Sequence, residues 1–246
     1  MHAILKKKYG QNFLIDKNIL HKISNLIPKK NLNIIEIGPG DGRLTEYIIN
    51  FKPKKFELIE IDTDLIPILK SKFYEYKNVI ITNADILNHQ ISSKVDLIIS
   101  NLPYNISSQI LVKICKMNYK PENLILMFQK EFAQRLMDKK LNSINSLVNC
   151  NYRVISNFNV SKNSFKPIPK VESTVLSFTL LKKALLNINE VDKFIEFKRN
   201  LFSHKRKTLK NLLRNHSFDK EKYDLSKRVE HISLKELLDI FREINI

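Results

Sequence analysis

Asn33-Ile34-Ile35-Glu36-Ile37-Gly38-Pro39-Gly40-Asp41-Gly42 runs an apolar stretch into three glycines spaced two apart, and a helical apolar pattern opens at Leu44. The run reads as a buried strand, the glycines as a tight turn and the sequel as a helix. The chain has only four glycines in 246 residues, and a plain turn does not require three of them. Glycine lets backbone approach a ligand closely and adopt angles that other residues avoid. A strand, a glycine turn and a helix in that order suit a doubly wound sheet, where ligands bind beyond the carboxyl ends of the strands. The spacing differs from the G-x-G-x-x-G of dinucleotide sites, which argues against a dinucleotide.

The same alternation continues outward from this unit. Strand-like runs occupy 33–37, 56–61, 79–82, 95–100, 123–128 and 175–180, with helical patterns at 44–50, 65–74, 107–117 and 130–138. That alternation predicts an α/β fold with a largely parallel sheet. Beyond about residue 187 no strand-like run remains, and the pattern predicts helices at 191–199, 205–214, 225–229 and 233–241. Ser233 followed by Glu236 reads as a capping box opening the last of them. Two domains are therefore expected: 1–182 around the sheet and 183–246 as a small helical unit, with the joint near 182–190.

Composition narrows the partners. Lys and Arg number 42 against 25 Asp and Glu, a formal charge of +17, which favours a polyanion such as nucleic acid. Cys115 and Cys150 lack metal or disulfide spacing and read as core thiols of a reducing compartment. No metal is expected. No apolar run approaches the ~20 residues that span a bilayer, and the first ten residues lack signal-peptide order. A cytoplasmic protein without a membrane partner is the expectation.

Three carboxylates and an amide fall at strand ends. Glu60 and Asp62 end the second strand about 20 residues after the glycine turn, where a carboxylate accepts from ribose hydroxyls; alternation puts both on one face, so they compete for that role. Asp85, after the third strand, can accept from an adenine amino group while Ile86 packs on the ring, although a loop Asp often bonds its own backbone instead. The fourth strand ends in Asn101-Leu102-Pro103-Tyr104. Asn101 offers an acceptor that cannot ionise, Pro103 stiffens the backbone, and Tyr104 offers a flat face. The set grips an exocyclic amino group on a planar base. Glycine turn, ribose acid, adenine acid and Asn-Leu-Pro-Tyr, in that order, point to an S-adenosylmethionine-dependent amino methyltransferase.

At this point the chain resembles, over nearly its whole length, the KsgA-type small-subunit rRNA adenine dimethyltransferases. The motif Lys8-Tyr9-Gly10-Gln11-Asn12-Phe13-Leu14-Ile15-Asp16 is similar to that family's N-terminal signature. The resemblance implies a Rossmann-like class I methyltransferase sheet, with Asn12 and Leu14 closing over the cofactor and Gly38, Glu60, Asp85 and Asn101 holding it. It selects Glu60 over Asp62 for the ribose. Phe165-Lys166-Pro167-Ile168-Pro169-Lys170-Val171-Glu172-Ser173 is similar to the family's Phe-x-Pro-x-Pro-x-Val-x-Ser loop, which implies that Phe165 stacks on the base opposite Tyr104. Phe128-Gln129-Lys130-Glu131 also resembles the family and suggests no chemical role. Gln109 replaces a common proline at a helix start. His204-Lys205-Arg206-Lys207 replaces an Arg-rich run, giving up some bidentate phosphate contacts.

The implied reaction is N6,N6-dimethylation of two adjacent adenosines near the 3′ end of 16S rRNA in the immature 30S subunit, linked to subunit biogenesis and carried out by a monomer. Asn101 and the Leu102 carbonyl would accept the amine's N–H bonds, and Tyr104 and Phe165 would clamp the ring. In the tail, Lys198, Arg199, Lys205, Arg206, Lys207, Lys210 and Arg214 supply the basic surface, with Lys205, Arg206, Lys207 and Lys210 the expected RNA contacts. Two other readings stay open: an Erm-type methyltransferase of large-subunit rRNA, and a catalytically idle RNA-binding assembly or transcription factor. Leu102 and the Lys205-Arg206-Lys207-Thr208-Leu209 run favour the small-subunit enzyme.

Overall fold

A computed structural model describes residues 12–91 and 94–244. Residues 8–11, which carry part of the N-terminal motif, lie outside the described residues. The chain opens with a short strand, β1 (Phe13–Leu14), and helix α1 (Lys17–Ser24), whose first turn is capped by Asp16 accepting from the N–H groups of Asn18 and Ile19. Then β2 (Asn33–Ile37), α2 (Arg43–Ile48), β3 (Lys55–Glu60), α3 (Ile66–Phe73), β4 (Val79–Asn83) and β5 (Leu97–Asn101) alternate. They are followed by α4 (Ser107–Cys115), β6 (Asn123–Gln129), α5 (Lys130–Met137) and the single turn α6 (Asn145–Val148). Strand β7 (Tyr152–Val160), the short β8 (Phe165–Lys166) and β9 (Ser173–Leu180) complete the sheets.

Seven strands lie in the order β4-β3-β2-β5-β6-β9-β7. The first five are parallel, and β9 and β7 are antiparallel additions at one edge. Chain order reverses between β2 and β5, which opens a crevice at their carboxyl ends. β1 and β8 form a separate two-stranded ladder with Leu14 opposite Phe165.

Period-2 alternation sorts the strand residues between two apolar layers. Ile34, Leu58, Leu97, Ile99 and Ile125 face the layer that holds Leu20 of α1, Ile48 of α2 and Leu69 of α3. Ile35, Ile98, Leu124, Leu126 and Phe178 face the other layer. That second layer continues without a break into the tail: α7 (Val191–Ser203), the single turn α8 (Leu209–Leu212) and α9 (Leu234–Ile244) contribute Phe194, Leu209 and Phe241 to it. Each such side chain taken from water stabilises by about 1.5–3 kcal/mol, so the tail is fastened chiefly by apolar packing.

Three expectations are corrected. The helix expected at 205–214 is one turn, because His204, Lys205, Arg206 and Lys207 are exposed and give it no apolar anchor before Leu209. The helix expected at 225–229 is a turn that passes through an isolated bridge between Arg228 and Thr208 into the 3₁₀ turn Val229–His231, with the Leu209 N–H donating to Lys227 O (2.8 Å) and the Lys210 N–H to Leu225 O (2.9 Å). Lys198 does not belong to a basic surface: it is 4% exposed, and its Nζ donates to Ser143 O (2.5 Å) and Oγ (3.1 Å). The capping reading for the last helix rests on an observed bond from the Glu236 N–H to Ser233 Oγ (3.1 Å). Cys115 and Cys150 are free, buried thiols that burial pushes up to about 12.

Candidate active site

The glycine turn leaves β2 at the crevice. Gly38 has φ +63°, and a Cβ placed on it would meet nothing within 4 Å, so its backbone borders open cavity. Gly40 has the same φ for a different reason: a Cβ there would lie 2.7 Å from the Phe13 ring. Its N–H donates to Glu60 Oε2 (3.0 Å), while Glu60 Oε1 accepts from the Asp62 N–H (2.9 Å). Glu60 is 4% exposed at the end of β3. Burial raises its pKa, and the two backbone donors work against that rise. Asp62 is spent otherwise: its Oδ1 accepts from the Asp64 N–H (3.2 Å), bracing the turn into α3. Glu60 lines the cavity and Asp62 does not.

Asp85 makes the local bonds a loop Asp often makes, accepting from the Leu87 N–H (2.9 Å) and from Asn88 Nδ2 (3.0 Å). It also lines the cavity, next to Ile86. At the end of β5, Asn101 Nδ2 donates to the Asn12 carbonyl (3.0 Å). The opposite amide orientation would set two oxygens against each other, so Oδ1 is the atom left for the cavity. Pro103 is extended at φ −58° and ψ 127°, which turns the chain into the short 3₁₀ segment Tyr104–Ile106. The Tyr104 hydroxyl bonds to Ser173 Oγ (2.8 Å), and burial raises its pKa, keeping it neutral.

All seven residues expected to hold the cofactor (Asn12, Leu14, Gly38, Glu60, Asp85, Ile86 and Asn101) line this one cavity, as do Leu102 and Tyr104. Phe165 does not. Its ring is 1% exposed and packs into the apolar layer around Leu14 and Leu20. Ladder pairing with Leu14 accounts for this, so the expectation of a second stacking wall facing Tyr104 is corrected. Lys205, Arg206 and Lys207 are exposed between α7 and α8, and Lys210 is exposed on α8.

Phe13, Ile61, Arg43 and Glu36 are among the lining residues that were not singled out in the sequence. Glu36 is 2% exposed, accepts from Thr45 Oγ1 (2.6 Å), and is pushed up to about 8, first by burial and then by the nearby Glu60. A carboxylate inside the run Ile34-Ile35-Glu36-Ile37 was the available signal.

Carboxylates at Glu60 and Asp85, an amide oxygen at Asn101 and apolar surface at Leu14, Ile61 and Ile86 form a set of acceptors beside a slot for a flat ring. Hydroxyls and an amino group on a nucleoside find partners there, and the open side of Gly38 admits the rest of such a molecule. The chain matches the model of the ribosomal RNA adenine dimethylase family over residues 3–245.

The chain belongs to that family.

Ribosomal RNA adenine dimethylases are methyltransferases that take their methyl group from S-adenosylmethionine, and the cavity suits that cofactor. The chain is 39% identical to the ribosomal RNA small subunit methyltransferase A of Mycoplasma capricolum subsp. capricolum, covering 98% of each chain. It is 37% identical to the protein of that name from Hydrogenobaculum sp., over 98% of this chain and 93% of the other. Among solved structures, a dimethyladenosine transferase from Plasmodium falciparum superposes with a TM-score of 0.83 at 26% identity, covering 95% and 97% of the two chains. The 23S rRNA methyltransferase ErmE superposes with a TM-score of 0.74 at 22% identity, covering 96% and 100%, a likeness of fold. No helix among the described residues is long and apolar enough to cross a membrane. No group of three or more potential metal ligands occurs among them.

Proposed function

We propose that this chain dimethylates the exocyclic nitrogen of adenine in small-subunit rRNA, at two adjacent adenosines near the 3′ end of 16S rRNA in the immature 30S subunit. The observation that carries the reading is the Asn101 amide, held by the Asn12 carbonyl so that Oδ1 is offered at the cavity beside Tyr104. S-adenosylmethionine, when bound, supplies an electrophilic methyl group. Glu60 accepts from its ribose hydroxyls, Asp85 from its adenine amine, and Ile86 and Leu14 cover its apolar surfaces. Gly38 lets the backbone come close.

An adenine amine is a poor nucleophile because its lone pair is delocalised into the ring. Asn101 Oδ1 and the Leu102 carbonyl accept its two N–H bonds and favour a pyramidal nitrogen with its lone pair free. Catalysis is then mainly orientation and preorganised electrostatics. No strong base is required, since the methylated nitrogen gives up its proton readily. The base reaches the cavity unpaired, and Tyr104 stacks on it, worth ~1–3 kcal/mol.

Residues 1–182 carry the chemistry in this reading. Within 183–246, Lys205, Arg206, Lys207 and Lys210 hold RNA phosphates. The chain acts as a cytoplasmic monomer without a metal. The small-subunit target rests on the names of relatives that cover nearly the whole chain.

The test is methyl transfer from labelled S-adenosylmethionine to undermethylated small subunits, large subunits and naked rRNA, read by nucleoside mass spectrometry. Dimethyladenosine confined to small subunits is expected, and transfer to large-subunit rRNA alone would overturn the assignment. Asn101→Ala should cut turnover by at least about 100-fold, the scale of losing one preorganised electrostatic partner, while RNA binding persists.

A further inference from the structure

The chain between Phe165 and Ser173 is fixed to the cavity wall at both ends. The Ile15 N–H donates to Ser164 O (2.8 Å), Ser164 Oγ bonds to Asp16 Oδ2 (3.1 Å), and Leu14 pairs with Phe165. At the far end Ser173 holds the Tyr104 hydroxyl (2.8 Å). Lys130 holds Glu172 twice, by its backbone N–H to Glu172 O (2.9 Å) and by Nζ to Oε2 (2.6 Å). That pair gives the Phe128-Gln129-Lys130-Glu131 motif a physical role: it braces the loop. Pro169 is buried in the middle of the segment.

This stiff loop puts apolar surface into water. Ile168, between Pro167 and Pro169, is 63% exposed, and Val171 is 42% exposed. Ile15, on the neighbouring segment, is 38% exposed. Lys162, Lys166 and Lys170 are exposed beside them. Glu172, the one acidic residue in 162–172, is taken by Lys130. An apolar tip flanked by cations and held rigid fits a polyanion that carries flat apolar faces. Proteins that open nucleic acids insert side chains of this kind between stacked bases, and a preorganised loop loses little entropy in doing so.

Resting on the proposed action on rRNA, we propose that Ile168 is a wedge that packs on the base next to the target adenine, with Lys166 and Lys170 holding the adjacent phosphates. Ile168 opens the stack beside Tyr104, and the two lysines set the register of the strand. The loop thereby positions the target without touching the reacting atoms.

Equilibrium binding to undermethylated small subunits, by co-sedimentation across a salt series, tests this together with KM for the same subunits. Ile168→Asp should weaken binding and raise KM at least tenfold, with cofactor affinity and melting temperature unchanged. Ile168→Met should restore both. Lys166→Ala with Lys170→Ala should flatten the slope of log affinity against log salt by about 1.4–1.8, the value for two phosphate contacts. Wild-type affinity and KM in Ile168→Asp would overturn the wedge alone. Failure of the wild-type chain to bind small subunits would overturn the wedge and the reading it rests on together.

Discussion

The glycine turn and the junction between α7 and residue 143 both take charge out of water, and they satisfy it differently. At the turn, Glu60 accepts one backbone N–H on each oxygen and keeps further lone pairs at a cavity. At the junction, the Lys198 ammonium gives two hydrogen bonds to one residue, Ser143, among the apolar residues of the sheet and tail. A carboxylate has about four acceptor positions, so two backbone donors leave capacity for two hydroxyls. An ammonium has three protons, and Ser143 engages two of them. Buried charge of the first kind is held ready for a ligand; the second kind fastens one element to another.

The sharpest way to break this contrast is to remove Glu60. In the proposed function Glu60 would accept from two ribose hydroxyls, so Glu60→Ala would remove two charge-assisted bonds, each worth ~1.5–3 kcal/mol. It also strands the Gly40 and Asp62 N–H groups. S-adenosylmethionine affinity by calorimetry should fall by about 100-fold or more, with small-subunit binding retained. An unchanged affinity would show that Glu60 serves only the turn.

How far these sites were legible follows from the same chemistry. The parallel half of the sheet was readable almost to the residue, since β2 coincides with the expected 33–37 and β3 to β6 differ by two residues or fewer at each end. Buried parallel strands are continuous apolar runs, which stand out. β7 was missed because it is an edge strand with polar residues at Arg153, Ser156, Asn157 and Asn159 and a register shift between Ser156 and Phe158. β1 and β8 are two residues each, too short for any periodicity. That pairing is what buries Phe165, so its fate was invisible without the fold. Lys198 was misread although a signal existed: it lies four residues after Phe194 and three before Leu201, on the buried stripe of α7. Residue type outweighed position.

Glu36 sharpens the comparison from the side of the cavity, because it has one side-chain donor, Thr45, where Glu60 has two backbone donors. Its folded pKa near 8 lies above the usual carboxylate range, so the folded state binds the extra proton. Stability it contributes is present at acid pH and lost as pH rises toward 8. Glu36→Gln keeps an acceptor for Thr45 and cannot ionise. Relative to this variant, the cofactor-free wild type should lose stability between pH 5 and 8, by of order 1 kcal/mol per pH unit at most. Parallel pH profiles from chemical denaturation would show that Glu36 is not desolvated in the way its 2% exposure suggests.

Lys198 gives the smallest effect and the most specific one. Burial brings its pKa down to about 8, so the unfolded chain holds the proton more tightly than the folded one between pH 8 and its ordinary value. The sign is opposite to that of Glu36: stability rises with pH across that window, because the neutral amine is the form the interior prefers. Lys198→Met keeps the length of the side chain and removes the charge, but leaves the Ser143 carbonyl without this donor. A buried ion exchanged for an apolar group of similar volume is often close to neutral, so a net loss of about 1 kcal/mol is expected at pH 7. The wild type should gain on the variant above pH 8, and methyl transfer at neutral pH should be unchanged. Lys198→Met that kept its stability but lost small-subunit binding would instead make this lysine part of the RNA surface after all.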